Sequence, residues 1–196
     1  MDAGPDYAYL THRVDSFKGR KIVVPTARNP RATKTYHWPH PESWEPTPRA
    51  LAAAGFFFAP EPNSVDRVEC FCCGKGLGSW EKTDNPFQEH YERAEDECAW
   101  AAARCTLEKD RKGKGKNVTW KFATEDRIPT DQARYEARLQ TFRDWPFDGV
   151  KGSTCTSEDL ARAGFIHTPE PGSEDLTTCF YCDRELGGWT MHDDPL

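Results

Sequence analysis

The stretch "CFCCGKGLGSWEKTDNP" at residues 70–86 returns as "CFYCDRELGGWTMHDDP" at residues 179–195, at a constant offset of 109. Both copies carry C-x2-C, then Leu-x-x-Trp, then Asp-x-Pro. The Cys pair lies in a tight turn between short strand-like runs, so both thiols face one side. His90 follows Cys73 after 16 residues, and Cys98 follows His90 after seven. A C-x2-C pair with a distant His and a further Cys is a Cys3His zinc set, here Cys70, Cys73, His90 and Cys98. Three thiolates and a neutral imidazole leave about one negative charge around Zn²⁺ and no open coordination position, so the zinc is expected to be structural, one ion per complete repeat. In the second copy Cys179 and Cys182 form the first pair. Its next ligand is expected near position 199, past Leu196, which reads as a fragment of a longer protein.

The repetition extends outward from the Cys pairs. "LAAAGFFFAPEP" (51–62) matches "LARAGFIHTPEP" (160–171) at the same offset, and Arg13-x-x-Ser16-Phe17 matches Arg138-x-x-Thr141-Phe142 at an offset of 125. The first copy therefore carries an insertion of 16 residues, placed at about 18–37. From Ser16 to Pro41 there are six Lys or Arg (Lys18, Arg20, Lys21, Arg28, Arg31, Lys34) and no acid; with its prolines this reads as an extended basic loop. "LEKDRKGKGKNVTW" (107–120) alternates Gly and Lys and reads as a flexible basic linker. The organisation expected is a first domain at 8–106, a linker at 107–127 and a second domain at 128–196. The local signals place a helix at 47–55, with Thr47 as cap and Gly55 as stop, a helix from Pro86 that breaks near Glu97, and a helix at 130–142 capped by Thr130. "FFF", "RVECF" and "GLGSW" read as short strands. The fold class is α+β, each domain a short three-stranded antiparallel sheet surrounded by helices.

Composition agrees with small metal-stapled domains. The chain has 196 residues, is 37% hydrophobic and 30% charged, and carries a net charge of −6; so few apolar residues make a thin core for its size. The N-terminal "MDAGPDYAYL" lacks an apolar signal region, and "LAAAGFFFAP" is far too short to span a bilayer, so no membrane partner is expected. Eight Cys in a soluble, reducing setting point to metal rather than disulfides. Asn117-Val-Thr119 matches a glycosylation sequon that would be idle there. Cys72 aligns with Tyr181 and is no ligand; Cys105 and Cys155 have no counterpart and read as buried thiols.

Arg-x-x-Ser/Thr-Phe, Trp-Pro, Ala-Gly-Phe, C-x2-C, Leu-x-x-Trp, Asp-x-Pro, Glu-His and Cys together resemble the baculovirus inhibitor-of-apoptosis repeat, or BIR. The likeness covers nearly all of the chain, twice. One departure is the seven residues between His90 and Cys98, where the family usually has six. The second copy resembles the survivin-like branch most, and the tandem arrangement with a long basic insertion is similar to its larger fungal members, subunits of the chromosomal passenger complex. This resemblance implies a non-enzymatic adaptor that reads free N-termini, including the phosphorylated histone-three tail and shugoshin, and targets Aurora kinase to centromeres in mitosis. It also implies other passenger subunits bound through regions outside this chain, and a location in the nucleus, on chromosomes, centromeres and spindle, and in cytoplasm.

Capturing a free N-terminus requires carboxylates for the ammonium, a small apolar pocket and a strand edge. The first copy offers Leu77 and Trp80 as wall, with Asp84 and Glu89 as carboxylates; the second offers Leu186, Trp189 and Asp193. Lys75 and Arg93, and Arg184 in the second copy, are candidate phosphate contacts. The plainer alternative makes the two Trp core residues and the charges solvated. The basic insertion is a candidate contact for DNA or an acidic chromatin surface, with a solvated loop as the equal alternative. Two rival functions remain: an inhibitor-of-apoptosis protein that binds or inhibits caspases, and a ubiquitin ligase with a RING elsewhere. Arg93, where many peptide-binding apoptosis repeats carry an aromatic residue, argues against the first.

Overall fold

The computed structural model describes residues 6–113 and 118–196. Residues 114–117, which include part of the Gly/Lys run and the Asn of the sequon, lie outside the described residues. Packing divides the chain into two compact units, Met1–Glu89 and His90–Leu196.

The first unit begins with α1 (Leu10–Ser16). Its Arg13 is 1% exposed. Burial of that guanidinium is tolerable because Nε donates to the Ala52 carbonyl at 2.8 Å, one terminal nitrogen donates to the Tyr7 and Ala8 carbonyls, and the group lies 4.5 Å over the Phe71 ring. α2 (Pro48–Ala53) starts as expected: the Thr47 hydroxyl accepts from Ala50 N, Pro48 occupies the first position, and Gly55 at φ 102 turns the chain out. β3 (Phe56–Phe58), β4 (Val68–Cys70) and β5 (Gly76–Leu77) form an antiparallel sheet in the order β3-β4-β5, with Phe56 opposite Cys70 and Val68 opposite Leu77. Phe56, Phe58, Leu51 and Val68 are fully buried beneath it.

The basic insertion is not an extended loop. Arg20–Val23 (β1) and Thr33–Tyr36 (β2) pair antiparallel, with Arg20 opposite Tyr36 and Val23 opposite Thr33. The β-branched run "KIVV" and the "TKTY" alternation favour strands, and Pro25 and Pro30 fall in the connection, where they remove no ladder bond.

α3 (Pro86–Ala94) is followed by a turn and a π-helical stretch, Ala101–Cys105. Within the expected linker the described residues form α4 (Leu107–Asp110) and a short antiparallel pair, β6 (Arg111–Lys112) with β7 (Thr119–Trp120). Arg127 forks onto the Asp110 carboxylate at 2.9 to 3.1 Å and also donates to the Thr106 carbonyl. α5 (Gln132–Leu139) is capped by Asp131, which accepts from Ala133 N, and not by Thr130. Both residues are cap formers, and the carboxylate one position later won. α6 (Ser157–Arg162) opens with a capping box between Thr156 and Asp159.

β8 (Ile166–His167), β9 (Thr177–Cys179) and β10 (Arg184–Leu186) form the second three-stranded antiparallel sheet, order β10-β9-β8. Trp145, Cys155, Leu160, Phe165 and Cys179 pack as its core. Arg138 reproduces the Arg13 arrangement: 2% exposed, with Nε donating to the Ala161 carbonyl at 2.8 Å. The fold is thus α+β with short antiparallel sheets, and both signature arginines serve packing.

Candidate metal centre and sheet edge

Cys70 ends β4, and the backbone reverses at once: Gly74 N donates to the Cys70 carbonyl and Cys70 N to that of Lys75, with Gly74 at φ 72. The turn thereby presents Cys70 and Cys73. α3 carries His90 on its buried side, and Cys98 follows in the turn after it. The sulfurs of Cys70, Cys73 and Cys98 and a ring nitrogen of His90 all lie within 4.8 Å of one another. Donors around a tetrahedral zinc with bonds of about 2.0–2.3 Å stand roughly 3.3–3.8 Å apart, so this cluster fits the ion with a small contraction. His90 is 0% exposed, Cys70 1% and Cys98 2%. Backbone amides point at two of the sulfurs: Cys72 N donates to Cys70 Sγ at 3.3 Å and Ala101 N to Cys98 Sγ at 3.5 Å. Cys105 Sγ lies 3.6 Å from His90 Nδ1 and backs the imidazole.

Cys179 and Cys182 are placed differently. Cys179 is buried and Cys182 exposed, and among the described residues they join no cluster of three donors. Burial pushes the Cys179 thiol up, against amides that favour its ionised form. Cys155 is a buried thiol pushed up to about 11 by burial, with Asp193, Asp159 and Asp175 adding to the shift. It is a packing residue with no nucleophilic character at neutral pH.

β5 and β10 are edge strands of their sheets and, among the described residues, pair with no further strand beside Leu77 and Leu186. Leu77 is half-buried, and Leu186 is 42% exposed. Trp80 is 5% exposed and meets Phe56 edge to face, so its ring belongs mainly to the core. Its Nε1 is buried with no hydrogen-bond partner among the described residues. Trp189 is half-buried against Phe165, and its Nε1 donates to Thr177 Oγ1 and the Leu186 carbonyl, both at 3.3 Å. Asp84 and Asp193 occupy equivalent turns: Asp84 Oδ2 accepts from Glu81 N at 2.7 Å, and Asp193 Oδ2 from Thr190 N at 2.6 Å. Each carboxylate therefore closes a turn and keeps a second oxygen with accepting capacity. Lys75 is half-buried directly after the metal turn, Glu89 half-buried in the first turn of α3, and Arg93 exposed in its last; Arg184 is exposed on β10.

Sequence reasoning missed the residue that holds the Leu-x-x-Trp segment. Asp66 accepts from Ser79 N at 3.0 Å and Trp80 N at 2.8 Å, and pairs with His40 Nε2 at 3.1 Å. His40 is stacked on Trp44. Burial works against the Asp66 carboxylate, but the bonds from Ser79, His40 and Trp80 prevail and hold it below the ordinary carboxylate range. Asp175, 109 positions on, accepts from Trp189 N at 2.8 Å. The constant offset was the available signal: both Asp stand four residues before the first Cys of their pair.

A family profile described as "BIR: Inhibitor of Apoptosis domain" matches residues 13–102 and 138–196. Among curated proteins, the E3 ubiquitin-protein ligase XIAP of Xenopus laevis is 33% identical over 194 residues, 97% of this chain and 34% of that protein. Death-associated inhibitor of apoptosis 2 of Drosophila melanogaster is 32% identical over 160 residues, 81% of this chain and 29% of its own length. Baculoviral IAP repeat-containing protein 5.1 of Xenopus tropicalis is 51% identical over 61 residues, 31% of this chain and 37% of its own. The chain thus spans about a third of the length of these relatives.

Proposed function

Because the chain belongs to the BIR, or Inhibitor of Apoptosis domain, family, we propose that it is a zinc-built, non-enzymatic adaptor that captures the free N-termini of partner proteins. The Cys70, Cys73, His90 and Cys98 cluster would hold one Zn²⁺, cross-linking the β4 turn to α3 and fixing the neighbouring strand edge. The ion supplies folding energy and no chemistry on a substrate, since four protein donors complete its coordination.

The observation that carries the reading is the pairing of a free sheet edge with a turn carboxylate, repeated at 109 residues. A peptide adds as a strand along β5 or β10. Its ammonium is accepted by Asp84 or Asp193, whose second oxygen remains available, and its small first side chain lies against Leu77 or beside Trp189. Lys75 and Arg184 follow the Cys turns and would meet a phosphate. The higher identity to protein 5.1 favours phosphorylated histone-three tail and shugoshin N-termini as ligands, and a place in the chromosomal passenger complex that targets Aurora kinase to centromeres. A nuclear, chromosomal location follows from that role.

A second reading is supported by coverage. The relatives that span most of this chain are named as an E3 ligase and a death-associated inhibitor, which favours caspase binding. The two are separated by peptide choice. Titration of the full chain with free, N-acetylated and phosphorylated histone-three peptides, and with the N-terminus of a processed caspase, distinguishes them. Asp84→Asn and Asp193→Asn keep an acceptor for the turn amide and remove the charge. Free peptide should then bind more weakly, and acetylated peptide should fail on every form. Equal binding of free and acetylated peptides would overturn the proposal.

A further inference from the structure

We infer that the β1–β2 hairpin of the first repeat is a binding element for the phosphate backbone of duplex DNA. This inference is independent of N-terminus capture and uses a different surface.

Charge separation is the first observation. The chain carries a net −6, yet the six cations from Lys18 to Lys34 occur with no acid between Ser16 and Pro41, so the remainder of the chain carries −12. The hairpin is thus an acid-free, strongly basic element within an acidic protein.

That element is fixed in place. Tyr7 and Phe57 stack at 3.9 Å, and the Arg20 guanidinium sits 5.6 and 5.7 Å from their ring centres and bonds the Tyr7 hydroxyl. Tyr36, opposite Arg20 at the same base of the hairpin, is 7% exposed. The tip is closed by Val24 N to the Ala32 carbonyl at 2.7 Å and by mutual Thr26 and Asn29 bonds. Cations on an ordered ribbon lose little freedom when they bind.

The remaining cations are available and distributed in a particular way. Lys21, Arg28 and Arg31 are exposed, and their side chains make no hydrogen bond or ion pair among the described residues, whereas Lys18 pairs with Asp15 at 2.6 Å. The Lys34 ammonium lies 4.6 Å over the Tyr36 ring, and the residue is exposed. Lys21 is opposite Thr35, and Lys34 is opposite Ile22. Adjacent strand residues face opposite sides, so Lys21 and Lys34 lie on opposite faces and Arg28 and Arg31 at the tip. The face of Lys34 also carries Arg20 and the buried Tyr36, which anchor it. The ribbon therefore offers a duplex its outward face with Lys21 and its tip with Arg28 and Arg31, with Lys34 beside them, a line of cations that can follow the phosphates. The B-DNA major groove admits a two-stranded ribbon, while the deep, narrow groove of RNA duplexes does not. Single strands call for exposed stacking rings, and the hairpin's Tyr36 is buried.

The test is fluorescence anisotropy of the full chain with labelled mixed-sequence duplex DNA over a salt series. Four phosphate contacts give a slope of log affinity on log salt of about −3.6, so raising salt from about 50 to about 200 mM should weaken binding about 150-fold. The triple variant Lys21→Gln, Arg28→Gln, Arg31→Gln should leave a slope of about −0.9 and a salt effect of about fourfold. Its zinc content, thermal midpoint and histone-peptide binding should equal the parent's, because the three side chains are exposed and outside the groove. An unchanged slope in the variant would overturn the inference. So would a single-stranded oligonucleotide that binds more tightly than duplex, or polyglutamate that competes at the same charge concentration as DNA.

Discussion

Replacing Asp66 by Ala should be among the most damaging single changes outside the metal ligands. In the parent its carboxylate accepts from Ser79 N at 3.0 Å, Trp80 N at 2.8 Å and His40 Nε2 at 3.1 Å. Trp80 is 5% exposed, so its amide has no recourse to water and its orphaning costs about 1–3 kcal/mol. Ser79 is exposed and recovers a water, which limits its share to about 1 kcal/mol. His40 loses its partner as well, so the total expected is about 3 kcal/mol. Asp66→Asn keeps one acceptor and should cost about half as much. Urea unfolding of the full chain, followed by Trp fluorescence, reads both. Acid sharpens the test. The Asp66 carboxyl is held below its ordinary value, so its contribution is fully present above that value and is lost as pH falls through the folded-state value. The gap between parent and Asp66→Asn should therefore narrow in strong acid. An Asp66→Ala loss below about 1 kcal/mol, or a gap that widens in acid, would refute this reasoning.

Three further substitutions test the packing of the repeats. Ser79 has φ 62, and its equivalent 109 positions on is Gly188 at φ 73, so Ser79→Gly should stabilise and Gly188→Ser destabilise by about 1 kcal/mol each, read from thermal midpoints. Arg138→Lys should cost about 2–4 kcal/mol in denaturant unfolding, because a single ammonium cannot serve both the Ala161 and Pro129 carbonyls at 2.8 and 2.9 Å.

Much of this was legible from the 109-residue repeat. The Cys turn, the short strands around it and the Thr47-capped helix follow from local signals that no tertiary contact opposes. Other features depended on distant partners. Asp66 reads in sequence as one more surface acid in "SVDRV"; only the return of the Leu-x-x-Trp segment across β4 makes it an acceptor for two amides. Trp80 reads as a groove wall and is mostly core, because Phe56 meets it edge to face. The insertion's cations and prolines suggest a loop, but the prolines fall in the connection, and Arg20 and Tyr36 anchor the strands. Asp84 and Asp193 were read as ammonium acceptors. Their bonds to Glu81 N and Thr190 N give them a turn-closing role as well, and this makes Asn rather than Ala the informative replacement.

The most direct measurement is metal content combined with folding. Full-length chain purified without chelator should contain zinc, and Cys73→Ser should lose about one equivalent relative to the parent. Its circular dichroism should lose structure, and its thermal midpoint should fall sharply, as should the parent's when a strong chelator is added. A Cys73→Ser chain with the parent's zinc content and melting curve would contradict a structural zinc at Cys70, Cys73, His90 and Cys98.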